Sequence, residues 1–121
     1  MPILDIEVVT RPGERLADDL AAALADALGE AFGAGPGRLW VRLRDLPADR
    51  YAENGAGGER FHPVFVTVGE GAPPEGEARA ARVARIAECV GRLTGRPADT
   101  VHVVLEPALR GRIAFGGKLS T

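Results

Sequence analysis

Hydrophobic and polar positions alternate from the first residues of the chain. Leu4, Ile6 and Val8 fall on one side of a period of two, with Asp5 and Glu7 on the other, the pattern of a half-buried β-strand. Arg11-Pro12-Gly13 breaks it. From about Glu14 to Phe32 the period lengthens: Leu16, Leu20, Leu24, Leu28 and Phe32 recur every fourth residue among alanines and acids, predicting an amphipathic helix stopped by the Gly/Pro-rich run 33–37. A second strand is expected from about Arg38 to Asp45, with Leu39, Val41 and Leu43 on one face and Trp40, Arg42 and Arg44 on the other.

Residues 47–60 read as a loop with turns that joins two halves. Phe61 to Val68 is then a third strand, with Val64, Val66 and Val68 alternating with Phe65 and Thr67. A Pro/Gly-rich connection over 69–76 leads to a second helix, about Glu77 to Leu93, with Val83, Ile86, Val90 and Leu93 at helical spacing and Gly95-Arg96-Pro97 ending it. Val101, Val103 and Leu105 mark a fourth strand, with His102 and Val104 facing the other way. Strand, helix, strand thus occurs twice, with a repeat of roughly sixty residues. The expected architecture is α+β: two tandem βαβ units in one domain, 1–121, with halves about 1–58 and 59–121. Together they form a four-stranded mixed sheet with two helices on one face. The other face, carrying Asp5, Glu7, Trp40, Arg42 and His102, is too polar for a monomer core yet holds large residues, so another subunit is expected to cover it.

Composition narrows the function classes. A chain of 121 residues suits one domain, and 45% hydrophobic with 26% charged residues fits a globular protein. Fifteen basic against seventeen acidic side chains, with no basic run among aromatics, argue against a nucleic-acid partner. No stretch approaches a membrane span, and no leader pattern is evident, so a cytoplasmic location is expected. Every basic residue except Lys118 is arginine, whose planar fork suits carboxylates. Cys89 is alone and sits in the second helical pattern, where a buried small hydrophobe is expected. With only His62 and His102 as imidazoles, neither a metal nor another cofactor is expected.

Pro2 is the most chemically informative residue. Removal of Met1, normal before a residue so small, is expected to leave the chain starting with the secondary amine of Pro2. Inside a chain, proline nitrogen is an inert amide; at a free terminus it is a rigid amine able to move protons or attack a carbonyl. Pro63, in His62-Pro63 at the head of the second half, is acylated and cannot serve as a base.

The N-terminal proline on a doubled βαβ pattern resembles the tautomerase superfamily, and the run from Val101-His102-Val103-Val104-Leu105 through Ala114-Phe115-Gly116-Gly117-Lys118-Leu119 resembles the end of 4-oxalocrotonate tautomerase. The length resembles the longer, fused members that form trimers. The resemblance implies a tautomerase/MIF-like fold, a homotrimer, no cofactor, and keto-enol proton transfer on a small enol or 2-oxo carboxylic acid with Pro2 as base and acid. It implies Arg11 as the counterpart of the family's arginine after the first strand, shifted by one residue. Trp40 and His102 stand where short members carry a second-strand arginine, and Tyr51 stands at the pocket aromatic. Tyr and Glu residues expected of haloacrylate dehalogenases on the fourth strand are lacking, which disfavours that reaction.

Arg11 and Arg42 are the leading cations beside Pro2, followed by Arg110 and Arg112. Arg42 could equally pair with Asp5 or Glu7, and Arg110 and Arg112 could be solvated loop charges. Trp40 is either subunit packing or pocket wall, His102 an interface residue or a donor, and Tyr51 a loop anchor or a pocket donor. Phe115 joins the substrate-binding set through the glycine turn. Alternatives are another proline-dependent reaction, such as hydration, dehalogenation or decarboxylation, and a non-catalytic trimeric binding protein.

Overall fold

The computed structural model describes residues 1–56 and 61–121. Four strands, β1 (Ile3–Thr10), β2 (Trp40–Pro47), β3 (Val64–Gly69) and β4 (Val101–Leu105), form a sheet in the order β2-β1-β3-β4. β1 runs parallel to β2 and β3 parallel to β4, while β1 and β3 are antiparallel, so the sheet is mixed and its halves are the two expected βαβ units.

Period-two alternation decides the packing. Leu4, Ile6, Val8, Val64, Val66 and Val68 turn inward and are essentially inaccessible. They share one core with Leu20, Leu24 and Leu28 of α1 (Leu20–Phe32) and Ile86, Cys89 and Val90 of α2 (Gly76–Thr94), so both helices cover the same face. Both helices end on a left-handed glycine, Gly33 and Gly95, a conformation that a side chain disfavours. Cys89 lies in this core, and burial pushes its thiol pKa up.

Three boundaries differ from the sequence reading. α1 begins at Leu20 rather than Glu14: Leu16 still packs against the core, but from a non-helical segment whose Glu14 carboxylate is drawn away to Arg96. β2 and β3 start two and three residues late, at Trp40 and Val64. The loop expected over 47–60 contains a short 3₁₀ turn at Ala48–Arg50 and a bridge between Glu53 and Ala56; its part from 57 to 60 lies outside the described residues.

Arg96, which the sequence offered only as part of a helix stop, is buried and ties four segments together. Its Nε donates to the His62 carbonyl (3.1 Å), Nη1 to the Thr94 carbonyl (2.7 Å) and Glu14 Oε2 (2.8 Å), and Nη2 to the Val9 carbonyl (2.7 Å) and Glu14 Oε1 (2.7 Å). Glu14 also accepts the Arg11 backbone N–H. Bonding to Arg96 is the main reason its carboxyl pKa falls to about 2.

After β4 the chain closes with a hairpin, β5 (Ala114–Phe115) and β6 (Lys118–Leu119). Gly116 and Gly117 both have positive φ, 59° and 84°, as a tight two-residue turn requires.

Candidate functional site

Antiparallel β1 and β3 bring the start of one strand to the end of the other. Ile3 pairs with Gly69 and with Trp40, so Pro2 sits at the sheet end where β1 and β2 begin and β3 and β4 finish. Trp40 N–H donates to the Pro2 carbonyl (3.0 Å), which fixes the residue that would carry the terminal amine. The Trp40 indole packs edge-on against Phe115, with centroids 5.4 Å apart, and its Nε1 donates to the Gly37 carbonyl (3.0 Å). Pro2, Trp40 and Phe115 are therefore gathered at one corner, the last reaching it from the closing hairpin.

Arg11, Arg42, Tyr51 and His102 lie away from this corner. Arg11 follows the far end of the eight-residue β1, nine steps from Pro2, which at about 3.3 Å each is roughly 30 Å. It stands near the start of β3, where Val9 N–H donates to the Pro63 carbonyl, and its Nη1 is 3.5 Å from Glu14. Arg42 grips Asp5 of the adjacent strand with Nε (2.5 Å) and Nη2 (2.8 Å), within the chain and on the open face. This pairing lowers the Asp5 pKa and raises that of Arg42.

Tyr51, Phe65 and His102 form a chain of ring contacts, 5.7 and 5.5 Å between centroids, on the open face. Phe65 pairs with Glu7, so this row is displaced from Pro2 along the strands. The Tyr51 hydroxyl donates to Glu53 (2.6 Å), which is the main reason its pKa is pushed up to about 12. Beside it, buried His62 lines a cavity of about 190 Å³, and among the described residues its Nδ1 has no hydrogen-bond partner.

Arg110 does lie at the Pro2 end. Leu109 and Arg110 donate their backbone N–H groups to the Glu70 and Gly71 carbonyls, seating the post-β4 loop on the segment that follows β3. Between this loop and the start of α2 is an open cavity of about 470 Å³, lined by Arg110, Arg79, Glu75 and Glu106 with Leu105 and Pro107. Arg112 is exposed in the same loop but does not line it. Arg79 was not visible as a site residue in the sequence: it is one of several arginines on α2, and only the fold singles it out. A second cavity at this end, of about 500 Å³ beside Leu39 and Gly35, carries Asp26 and Glu30 and no cation.

Among the described residues, no group of three or more His, Cys, Asp or Glu could hold a metal ion, and no helix is long and apolar enough to cross a membrane.

No family model and no curated protein matches the sequence. Solved structures do match its shape. A wild-type fused 4-OT, the Q0 symmetric trimer, superimposes with a TM-score of 0.75 at 21% identity, over 98% of this chain and 94% of its own. Macrophage migration inhibitory factor from Trichinella spiralis gives 0.73 at 10% identity, over 97% and 98%. FG41 malonate semialdehyde decarboxylase, inhibited by 3-bromopropiolate, gives 0.69 at 17% identity, over 94% and 88%. At such identities the likeness speaks for architecture: the chain has the fold of the tautomerase superfamily, in the fused form with two βαβ units.

Proposed function

We propose that this protein is a cytoplasmic, cofactor-independent isomerase of the tautomerase superfamily. It ketonises a small enol or 2-oxo carboxylic acid, with the free amine of Pro2 as base and then acid. The observation that carries the reading is Pro2 itself, at the head of β1 on the fold of fused 4-OT, with its carbonyl held by Trp40 N–H. A neutral amine at this point takes the enol proton as the carbonyl forms; the resulting ammonium returns a proton to the adjacent carbon, and the amine is regenerated. Neutrality near pH 7 demands a pKa below that of an ordinary amine, a shift that burial or a nearby cation can produce.

The working unit is a homotrimer. Trp40 is 42% and Val104 55% exposed on the uncovered sheet face, alongside Phe65, His102 and the Asp5–Arg42 pair. Side chains this large support subunit packing there, and the fused 4-OT of the same fold is described as a symmetric trimer. Trp40 and Phe115 wall the Pro2 pocket. Arg11, Arg42, Tyr51 and His102 reach a substrate only where subunits meet.

The experiment is direct. Intact mass establishes loss of Met1, and the Pro2→Ala variant is compared with wild type in ketonisation of phenylenolpyruvate and 2-hydroxymuconate. A loss of at least about a hundredfold with unchanged circular dichroism is expected. Undiminished turnover by Pro2→Ala overturns the reading, as does a wild-type chain with free Pro2 that ketonises neither acid. Light scattering that finds a stable monomer overturns the trimer. The likeness to malonate semialdehyde decarboxylase favours one second reading, decarboxylation of a 3-oxo acid by the same amine, which release of carbon dioxide distinguishes.

A further inference from the structure

Lys118 is the one lysine among fifteen basic residues, and the fold carries it to the Pro2 corner. Trp40 N–H donates to the Pro2 carbonyl (3.0 Å), and the Trp40 ring meets Phe115 with centroids 5.4 Å apart. Phe115 pairs with Lys118 across the closing hairpin. Residues directly opposite on antiparallel strands project from the same face, with Cβ atoms about 5 Å apart, so Lys118 leaves the hairpin on the side that Phe115 turns to Trp40. The two-residue turn at Gly116 and Gly117, with positive φ at both, fixes that register. Lys118 is exposed, and among the described residues its ammonium makes no hydrogen bond or ion pair.

The other charges around this end are engaged or belong to other surfaces. On β1 and β2, Asp5 and Arg42 close on each other. After β3, the Glu70 carboxylate is turned to Arg82 (2.9 Å). Arg110 lines the cavity between the post-β4 loop and α2, whose lining does not include Pro2. On α1, Asp26 and Glu30 line the cavity beside Leu39; as anions they favour the protonated amine, so a cation has to oppose them. Arg38, two residues before Trp40, is the rival for that task, but its backbone N–H ties it back to the Gly35 carbonyl (3.0 Å).

We infer that Lys118 supplies the positive charge that keeps the amine of Pro2 neutral. This inference rests on the proposed release of Pro2 and its role as base. A lysine ammonium is charged at pH 7 and is a compact point charge on a flexible stem, so it approaches a second amine without the orientation that a guanidinium fork requires. Like charges at one corner disfavour each other, and the α-amine gives up its proton before a lysine does. The closing hairpin thereby becomes part of the Pro2 site: seating it brings the cation, and lifting it returns the amine to its ordinary protonation.

The test follows the Pro2 nitrogen by heteronuclear NMR through a pH titration of the full-length oligomer, labelled at proline nitrogen and with Met1 removed, as shown by intact mass. Lys118→Met should raise the pH at which this nitrogen titrates by about 0.5 or more, Lys118→Glu by about twice as much, and Lys118→Arg should leave it in place. Added salt should raise the wild-type value toward that of Lys118→Met and leave Lys118→Met little changed. In ketonisation, the fall of kcat/KM on the acid side should move to higher pH by the same amount, because a more basic amine is protonated sooner, with the plateau at high pH unaltered. An effect of Lys118→Met on the Pro2 titration below about 0.5, the same effect in Lys118→Arg, or a larger effect in Arg38→Met overturns the assignment. The titration needs no substrate, so it stands apart from turnover: a chain that ketonises nothing, or a Pro2→Ala variant that keeps its activity, removes the base mechanism, and the titration still decides whether Lys118 governs the amine.

Discussion

Arg96 closes on Glu14 with both terminal nitrogens, at 2.8 and 2.7 Å, across 82 positions of sequence. Only 1% of the arginine side chain is exposed, against 23% of the glutamate, so the cation is the buried member of the pair and the carboxylate its route toward solvent. Three carbonyls, from Val9, His62 and Thr94, occupy the remaining donors. The fork joins the end of β1, the approach to β3, the end of α2 and the segment before α1, where a single-point ammonium could not span the same partners.

Arg96→Met is therefore expected to destabilise the fold by about 3–5 kcal/mol, because it leaves three buried carbonyls and a carboxylate without their donor. Chemical denaturation checks this. A loss below about 1 kcal/mol, the range of exposed ion pairs, would show that solvent replaces the arginine.

The same pair sets a pH dependence. The Glu14 pKa is about 2 in the folded chain against an ordinary 4.5, so the unfolded chain binds the proton more readily. The contribution to stability is complete above pH 4.5 and drains away as pH falls from there toward 2. The Tm difference between wild type and Glu14→Gln should thus be largest near neutrality, shrink below pH 4.5 and disappear near pH 2. A difference independent of pH would rule out the ion pair as its source.

Two glycines should respond unequally to alanine. A Cβ on Gly91 would stand 2.6 Å from the Arg96 carbonyl oxygen and 3.3 Å from Ala98 backbone atoms, which cannot yield. Although alanine favours helix by about 1 kcal/mol, Gly91→Ala should be net destabilising by about 1–3 kcal/mol. A Cβ on Gly69 is crowded by the tip of the Leu109 side chain, at 2.8 Å, which can rotate aside, while the Ile3 carbonyl oxygen stands at an ordinary 3.9 Å. Gly69→Ala should cost less than Gly91→Ala in parallel melts, and the reverse order would contradict the packing.

The single tyrosine makes a clean titration possible. Tyr51 should ionise near pH 12 in ultraviolet difference spectra, and Glu53→Gln should bring that value down toward 10, since the Glu53 carboxylate accepts the hydroxyl proton. An unshifted Tyr51 in wild type would mean that the 2.6 Å bond does not persist in solution.

Much of the architecture was legible because inward positions must be apolar at a fixed period: Leu4, Ile6 and Val8, and Val64, Val66 and Val68, declare their strands and facing. The start of α1 was not, because Leu16 keeps the helical spacing while Glu14 is drawn to an arginine 82 positions away, a partner that no local pattern reveals. Pro2, Trp40 and Phe115 share a corner, a grouping that the sequence left open because Trp40 could be subunit packing or pocket wall. Arg11 was linked to Pro2 by its place after a strand, yet strand length alone parts them within one chain. Arg79 escaped notice because residues of one sign are common on a solvated helix face, and a cavity wall is a property of the fold.

The edge-on contact of Trp40 with Phe115 carries a practical corollary. Trp40 is the sole tryptophan, so the intrinsic emission of the protein originates at this one corner. Its colour and lifetime become a built-in gauge of whether the closing hairpin is seated, readable in a cuvette before any label or substrate is added.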